Sequence, residues 1–378
     1  MREQPGLHAR NGNAGAATRR LRTKGFVVAL DVDEGARAAH EVGTLDAGAE
    51  RVARLLGLMH ARDGKQLPDV VDRYYIPSST LERAQADALS IASSWQLWGG
   101  VVPQRFVSTK VVSHPLWRED AVAPAGWKAI RGIGSWTLPG YSVFAREDAR
   151  AAGRALLRDG GIRFKCPCAR GGMGQQPIAD ASSLDAWIDA ADDAAFVAGL
   201  VIERDLSETT TYSVGASKLR NERIAYHGEQ RVVPDHGGNL VYGGSRLRVR
   251  RGKLEELHAG LDPGELADAV ALATAYDRAV RAAYGVLATR CNYDVIAGRD
   301  GEGRRRIGVL EQSWRFGGAS MAELLALERF RQCPGLDALV AETVECWDGG
   351  DVPVDAVVHW RGDRDSPCKY ARIVRDGH

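Results

Sequence analysis

Two periods of apolar spacing run along the chain. Residues 25–30 (GFVVAL) form an unbroken apolar run that reads as a buried strand, and residues 35–43 and 47–61 repeat apolar side chains at i, i+3 and i+4, which predicts two helices. Residues 70–77 and 99–103 read as further strands bounded by breakers, with a helix over 81–92 between them. Strands interleaved with helices predict an α/β arrangement. Further on, the pattern gives a helix over 147–158 and a strand over 161–166, then a helix over 184–195 whose Asp185, Asp189, Asp192 and Asp193 read as a solvated face. Apolar runs over 197–203 and 210–219 predict two strands, and 263–284 is an alanine-rich amphipathic helix. Residues 292–297 and 307–311 flank a charged, glycine-bearing tip over 299–306, which predicts an antiparallel pair. After it, 321–330 and 336–346 read as short helices, with strand-like runs at 356–360 and 370–374.

Composition narrows the class. A chain of 378 residues with 44% hydrophobic and 26% charged residues is ordinary for a soluble globular protein of two or three domains. The net charge of +1 carries none of the basic excess of a nucleic-acid binder, and no apolar run approaches the roughly 18 residues of a membrane span. Six scattered cysteines make no disulfide framework, so a cytoplasmic setting is expected. Cys166 and Cys168 are the one close pair and lack the further ligands of a zinc site. Residues 1–24 hold six Arg and Lys against Glu3 alone and read as a disordered basic tail without the apolar core of a secretory signal.

Candidate chemistry concentrates in the strand pair. If Asp294 pairs with Val309 or Glu311, the carboxylates of Asp294 and Glu311 share a sheet face; a one-residue slip would part them. Like charges on one face call for a cation between them, and Mg2+ is typically held by one or two carboxylates plus phosphate oxygens. Two solvated charges on an exposed hairpin are the alternative. Lys165 ends a strand and is followed by a loop holding Gly171, Gly172 and Gly174, a sequence of parts that can grip phosphate through backbone N–H groups and a mobile cation. It lacks the G-x-x-x-x-G-K-[ST] spacing of a P-loop. Arg246, Arg248 and Arg250 recur at period two, which suits either an anionic substrate or an edge strand protected by charge.

The run after Glu311, Gln312-Ser313-Trp314-Arg315-Phe316-Gly317-Gly318, resembles the end of the metal-binding strand of the ATP-grasp superfamily, with Ser313 where an Asn is usual. In the same pattern Asp294 matches the acidic residue on the preceding strand, Lys165 the phosphate lysine, and Lys110 a first nucleotide-contacting lysine. Glu203-Arg204-Asp205-Leu206 matches the segment that reads adenine. The resemblance covers about residues 105–330 and is most like an uncharacterised bacterial family of ATP-grasp-like proteins. It implies an α/β (α+β) ATP-grasp fold: a small N-terminal α/β domain over 25–110, a nucleotide-binding and catalytic region of two clasping α+β subdomains over 111–345, and an extension over 346–378. It further implies Mg-ATP, metal ligands Asp294, Glu311 and Ser313, and nucleotide contacts from Lys110, Lys165, the three loop glycines, Glu203, Arg204 and Leu206, with Arg315 and Arg246 at the transferred phosphoryl group. The activity implied is ligation of a small-molecule carboxylate to an amine or thiol through an acylphosphate. A phosphotransferase on the same site, or a nucleotide-binding regulator favoured by Ser313, stays open, as does the oligomeric state.

Overall fold

The computed structural model describes residues 25–32, 37–62, 67, 72–167, 174–347, 351–362 and 366–377. The expected basic tail over 1–24, and the loop positions Gly171 and Gly172, lie outside them.

The apolar run at the start forms β1 (Phe26–Leu30), flanked in parallel by β2 (Met59–Ala61) and β3 (Arg73–Pro77). One helix, α1 (Ala39–Leu56), stands where two were expected, and the stretch after it is β2. Gly43 does not break α1, because its missing Cβ makes room for a ring: a Cβ there would lie 2.3 Å from Trp360 Cε3. The helix stops at Gly57, whose φ of 64° is left-handed and whose N–H caps the last turn. Strands β4 (Leu81–Glu82) and β5 (Gly100–Val102), with α2 (Arg83–Ala88) between them, complete this part.

A second sheet collects β6 (Gly140–Val143), β7 (Ile162–Lys165), β8 (Gln175–Ile178) and β9 (Leu200–Arg204) in the order β6-β9-β7-β8, all antiparallel neighbours. Its helices α3 (Arg146–Leu157) and α4 (Ala181–Ala190) bury Ala149, Ala152, Leu184 and Ile188 against Ile162, Phe164 and Ile202. The helix expected over 184–195 is divided, because the Asp192 side chain caps a new one, α5 (Asp193–Ala198), by accepting from Ala194 N.

The largest sheet uses β10 (Ser207–Leu219), β11 (Glu222–Pro234), β12 (Leu240–Arg251), β14 (Arg290–Arg299), β15 (Arg305–Ser313), β16 (Ala338–Cys346), β17 (Val357–Trp360) and β18 (Cys368–Asp376). Their order is β15-β14-β10-β11-β12-β16-β18-β17, and short β13 (Leu287–Ala288) pairs instead with β5. Helix α6 (Glu265–Tyr284) covers one face through Val270, Ala273, Tyr276 and Val280, while α7 (Ser320–Gln332) packs with α1 against Tyr226, Leu247, Leu339 and Ala371. Residues 338–346 correct the helix expected there. This strand lies between β12 and β18, and its buried run from Leu339 to Val344 erases the period-two alternation by which a strand is read. Among the described residues no helix is long and apolar enough to cross a membrane.

Candidate functional site

A cleft of about 720 Å³ separates the four-stranded sheet from the largest one and extends to α1. On the floor of the cleft, Asp294 of β14 pairs directly with Glu311 of β15, and Asn292 with Ser313, so all four side chains share one face. The alternate residues Tyr293 and Val295 are buried in the core against α6, which fixes the register.

Asp294 Oδ1 accepts from Gln230 Nε2 and from Asn292 Nδ2, both at 2.7 Å. Burial, and next the Glu311 carboxylate, push its pKa up to about 7. Glu311 Oε2 lies 2.9 Å from Lys110 Nζ, which reaches the cleft from a 3-10 turn over Lys110–Ser113. Two facing carboxylates with the Ser313 hydroxyl beside them offer hard oxygen donors that fit Mg2+, while Asn292 orients Asp294 through Nδ2 and its Oδ1 accepts from the Tyr226 hydroxyl at 3.0 Å. Among the described residues no three His, Cys, Asp or Glu side chains group as a metal site, so phosphate oxygens would have to complete the coordination. Behind Ser313, Arg290 is fully buried and ion-paired with Glu323 at 2.8 Å.

The opposite wall carries a second buried ion pair. Lys165 on β7 and Glu203 on β9 meet at 2.5 Å, each only 2–3% exposed. Glu203 Oε2 is 3.6 Å from His114 Nε2, and neither atom has a hydrogen-bond partner among the described residues. Burial drives the His114 pKa down to about 4, so the imidazole is neutral; its Nδ1 lies 2.9 Å from Ser113 Oγ.

The other residues expected from sequence are placed as follows. Leu206 and Arg315 line the cleft, and Arg315 Nη1 donates to Phe316 O at 2.8 Å. Gly174 adopts a left-handed φ of 62°, and its carbonyl accepts from Cys166 N. Arg204 turns its guanidinium away from Lys165 to donate to Leu156 O at 2.9 Å and Gly160 O at 2.7 Å, where it caps the end of α3. Arg204 still lines the cleft, whereas Arg246 does not. Strand alternation turns Ser245 and Leu247 inward and leaves Arg246, Arg248 and Arg250 exposed on the other face. Sequence reasoning missed Gln230, Asn292, His114 and Tyr242. Only Asn292 had a readable signal, its position two residues before Asp294 on the same face.

A family model described as "Protein of unknown function (DUF3182)" matches residues 27–373. No curated protein sequence matches the chain. Among solved structures, N5-carboxyaminoimidazole synthetase from Staphylococcus aureus, complexed with ADP, is similar over 94% of this chain and 94% of its own at 12% identity, with a TM-score of 0.54. D-alanyl-alanine synthetase A from Vibrio cholerae is similar over 82% of this chain and 97% of its own at 11% identity, with a TM-score of 0.50. The shared architecture is the ATP-grasp fold expected from the sequence.

Proposed function

The chain belongs to the DUF3182 family and has the ATP-grasp fold, and from that premise we propose that it is an ATP-dependent ligase joining a small-molecule carboxylic acid to an amine or thiol. The observation that carries this reading is the directly paired Asp294 and Glu311, with Lys110 beside them, facing the Lys165–Glu203 pair across one cleft.

Asp294 and Glu311, flanked by Asn292 and Ser313, are the residues that would hold Mg2+, which when bound neutralises charge on the phosphate oxygens. Lys110 and Lys165 are each held by a carboxylate within the cleft and present mobile cations to the nucleotide phosphates. The end of β9 at Glu203 and Arg204 and the residues after it to Leu206 would offer backbone groups to the base. In the first step a substrate carboxylate oxygen bonds to the γ-phosphorus and ADP leaves; in the second an amine or thiol bonds to the acyl carbon and phosphate leaves. Positioning and charge neutralisation carry such phosphoryl transfer, so no side chain need act as covalent nucleophile. Arg315, on the segment leaving β15, lines the cleft and would meet the transferred group.

Hydroxylamine added with ATP, Mg2+ and a library of carboxylic acids tests the proposal. A hydroxamate should accumulate, with phosphate release dependent on one acid. Tight ATP binding with no acid stimulating phosphate release would favour a nucleotide-binding regulator; phosphorylated product with no hydroxamate would favour a phosphotransferase.

A further inference from the structure

Cys346 and Cys368 are distant in sequence, and the fold sets them face to face. Strands β16 and β18 run antiparallel, and Cys346, the last residue of β16, pairs directly with Cys368, the first of β18. Residues directly opposite on antiparallel strands have Cα atoms about 4.5–5.5 Å apart, within the roughly 4.4–6.8 Å that a disulfide spans. Their Cβ atoms stand about 4.5–5.5 Å apart, against about 3.5–4.5 Å across a disulfide, so the strand ends must draw together by up to about 1 Å. The last rung permits this, because the ladder holds each strand there from one side only. Both cysteines are half-buried thiols in this structure.

The two sulfurs share a face of the sheet. Cys368 and Tyr370 are two residues apart on β18 and project to the same side, and the Tyr370 hydroxyl is held above its usual range by burial and next by Cys346 across the strand gap. Among the described residues no third His, Cys, Asp or Glu groups with them, so the pair does not make a metal site. One rung inward, on the opposite face, Glu345 meets Lys369 at 2.9 Å, and both line the cleft. The chain between the two cysteines carries β17, which pairs with β18, sets His359 in the cleft wall and seats Trp360 over Gly43 of α1. A bond between the sulfurs therefore closes a ring that holds the far wall of the cleft.

We propose that Cys346 and Cys368 are a reversible redox pair, whose oxidation by a small-molecule disulfide of the glutathione class clamps β17 and the far wall of the cleft. The thiolate of one cysteine attacks a sulfur of the small disulfide and expels one small thiol. The other cysteine then loses its proton, attacks the protein sulfur of the mixed disulfide and expels the second. Two protein thiols are oxidised to one S–S bond while the small disulfide is reduced to two thiols, which carry away the two protons. Where glutathione keeps thiols reduced, the pair rests as two thiols, and oxidation is the event that links them. A ring closed between Cys346 and Cys368 restricts the unfolded chain more than the folded one, so the oxidised form is the more stable. None of this chemistry depends on the chain being a ligase.

The full chain, equilibrated in glutathione buffers of rising oxidised-to-reduced ratio, is alkylated, digested without reduction and mapped by mass spectrometry. A cross-linked peptide pair holding Cys346 and Cys368 should accumulate as the ratio rises and vanish with dithiothreitol. Oxidised wild type should melt about 5 °C above the reduced protein. Cys346→Ser and Cys368→Ser should show no such oxidation-dependent rise, and each should leave its remaining thiol as a mixed disulfide with glutathione. The peptide map of wild type needs neither variant, so a variant that misfolds does not obscure the answer. Both cysteines unlinked at the most oxidising ratio, whether as thiols or as glutathione adducts, would overturn the pairing, as would a cross-link from either to Cys166, Cys168 or Cys333. A Cys346–Cys368 cross-link that forms without raising the melting temperature would overturn the clamp.

Discussion

Asp294 is a half-buried carboxylate held opposite Glu311 on the neighbouring strand, with the Lys110 ammonium 2.9 Å from Glu311. Its pKa of about 7 means that the ionised form is disfavoured in the fold, first by burial and then by Glu311. An Asn at this position would keep an oxygen to accept from Gln230 and Asn292 while removing the like-charge repulsion. Asp294→Asn should therefore melt higher than wild type near neutral pH without Mg2+, yet lose the extra stabilisation that Mg2+ gives with an ATP analogue. Glu311→Gln should behave oppositely without metal. It takes away the carboxylate 2.9 Å from the buried Lys110 ammonium, and removing one side of a buried ion pair is destabilising. Thermal melts of both variants with and without Mg2+ check this, and equal Mg2+ responses in wild type and Asp294→Asn would remove the metal assignment. The two acids could be read from the sequence because strand period alone puts them on one face once the hairpin is recognised. Gln230 could not be, since its contact with Asp294 crosses two strand pairings that no local pattern encodes.

At the scale of elements, the Lys165–Glu203 wall proposed to meet the nucleotide depends on how closely β6 meets β9. Gly140 pairs with Glu203, and a Cβ at Gly140 would lie 2.5 Å from His114 Cδ2 and 2.7 Å from Ile202 O. Gly140→Ala must displace either the imidazole or the strand that carries Glu203. Overpacking of this kind costs about 1–3 kcal/mol, so the variant should melt lower and bind nucleotide several-fold more weakly. Mg2+ dependence should survive, because Asp294 and Glu311 stand on a different sheet. Nucleotide titrations by fluorescence or calorimetry separate the two effects; unchanged affinity would show that the Lys165–Glu203 wall does not touch the nucleotide. Elements with an unmixed signal, such as β1, α6 and the β14–β15 pair, were legible to within a few residues. Those with a mixed signal were not: β16 is buried along its length and lost its alternation, and β12 alternates cleanly but does not disclose which face is the cleft. That second ambiguity is why Arg246 was expected at the site.

Three neutral histidines tie the stability of the whole molecule to pH. His114 lies behind the Lys165–Glu203 pair, His227 on β11 and His359 on β17, and burial holds each near a pKa of 4. In the unfolded chain each would titrate near 6.5. Below that pH the unfolded state binds protons that the fold refuses, so the stability each contributes is complete above about 6.5 and is lost as pH falls toward 4. Asp294 acts in the opposite sense, since its raised pKa makes the fold take up a proton as pH falls through 7. Glu345, raised by burial, opposes likewise, and His40, lowered by burial, adds to the imidazoles, so two carboxylates stand against four imidazoles and the fold still loses stability over that window. His227 isolates the effect, because it does not line the cleft that holds the Lys165–Glu203 and Asp294–Glu311 pairs. Burial and then the Arg248 and Arg250 guanidiniums depress it. A His227→Gln variant keeps a neutral polar side chain but cannot take up a proton. Its melting temperature should fall less than that of wild type between pH 6.5 and 4, and the two curves should run parallel above pH 7. Parallel curves across the entire range would mean that His227 already takes up its proton in the folded chain.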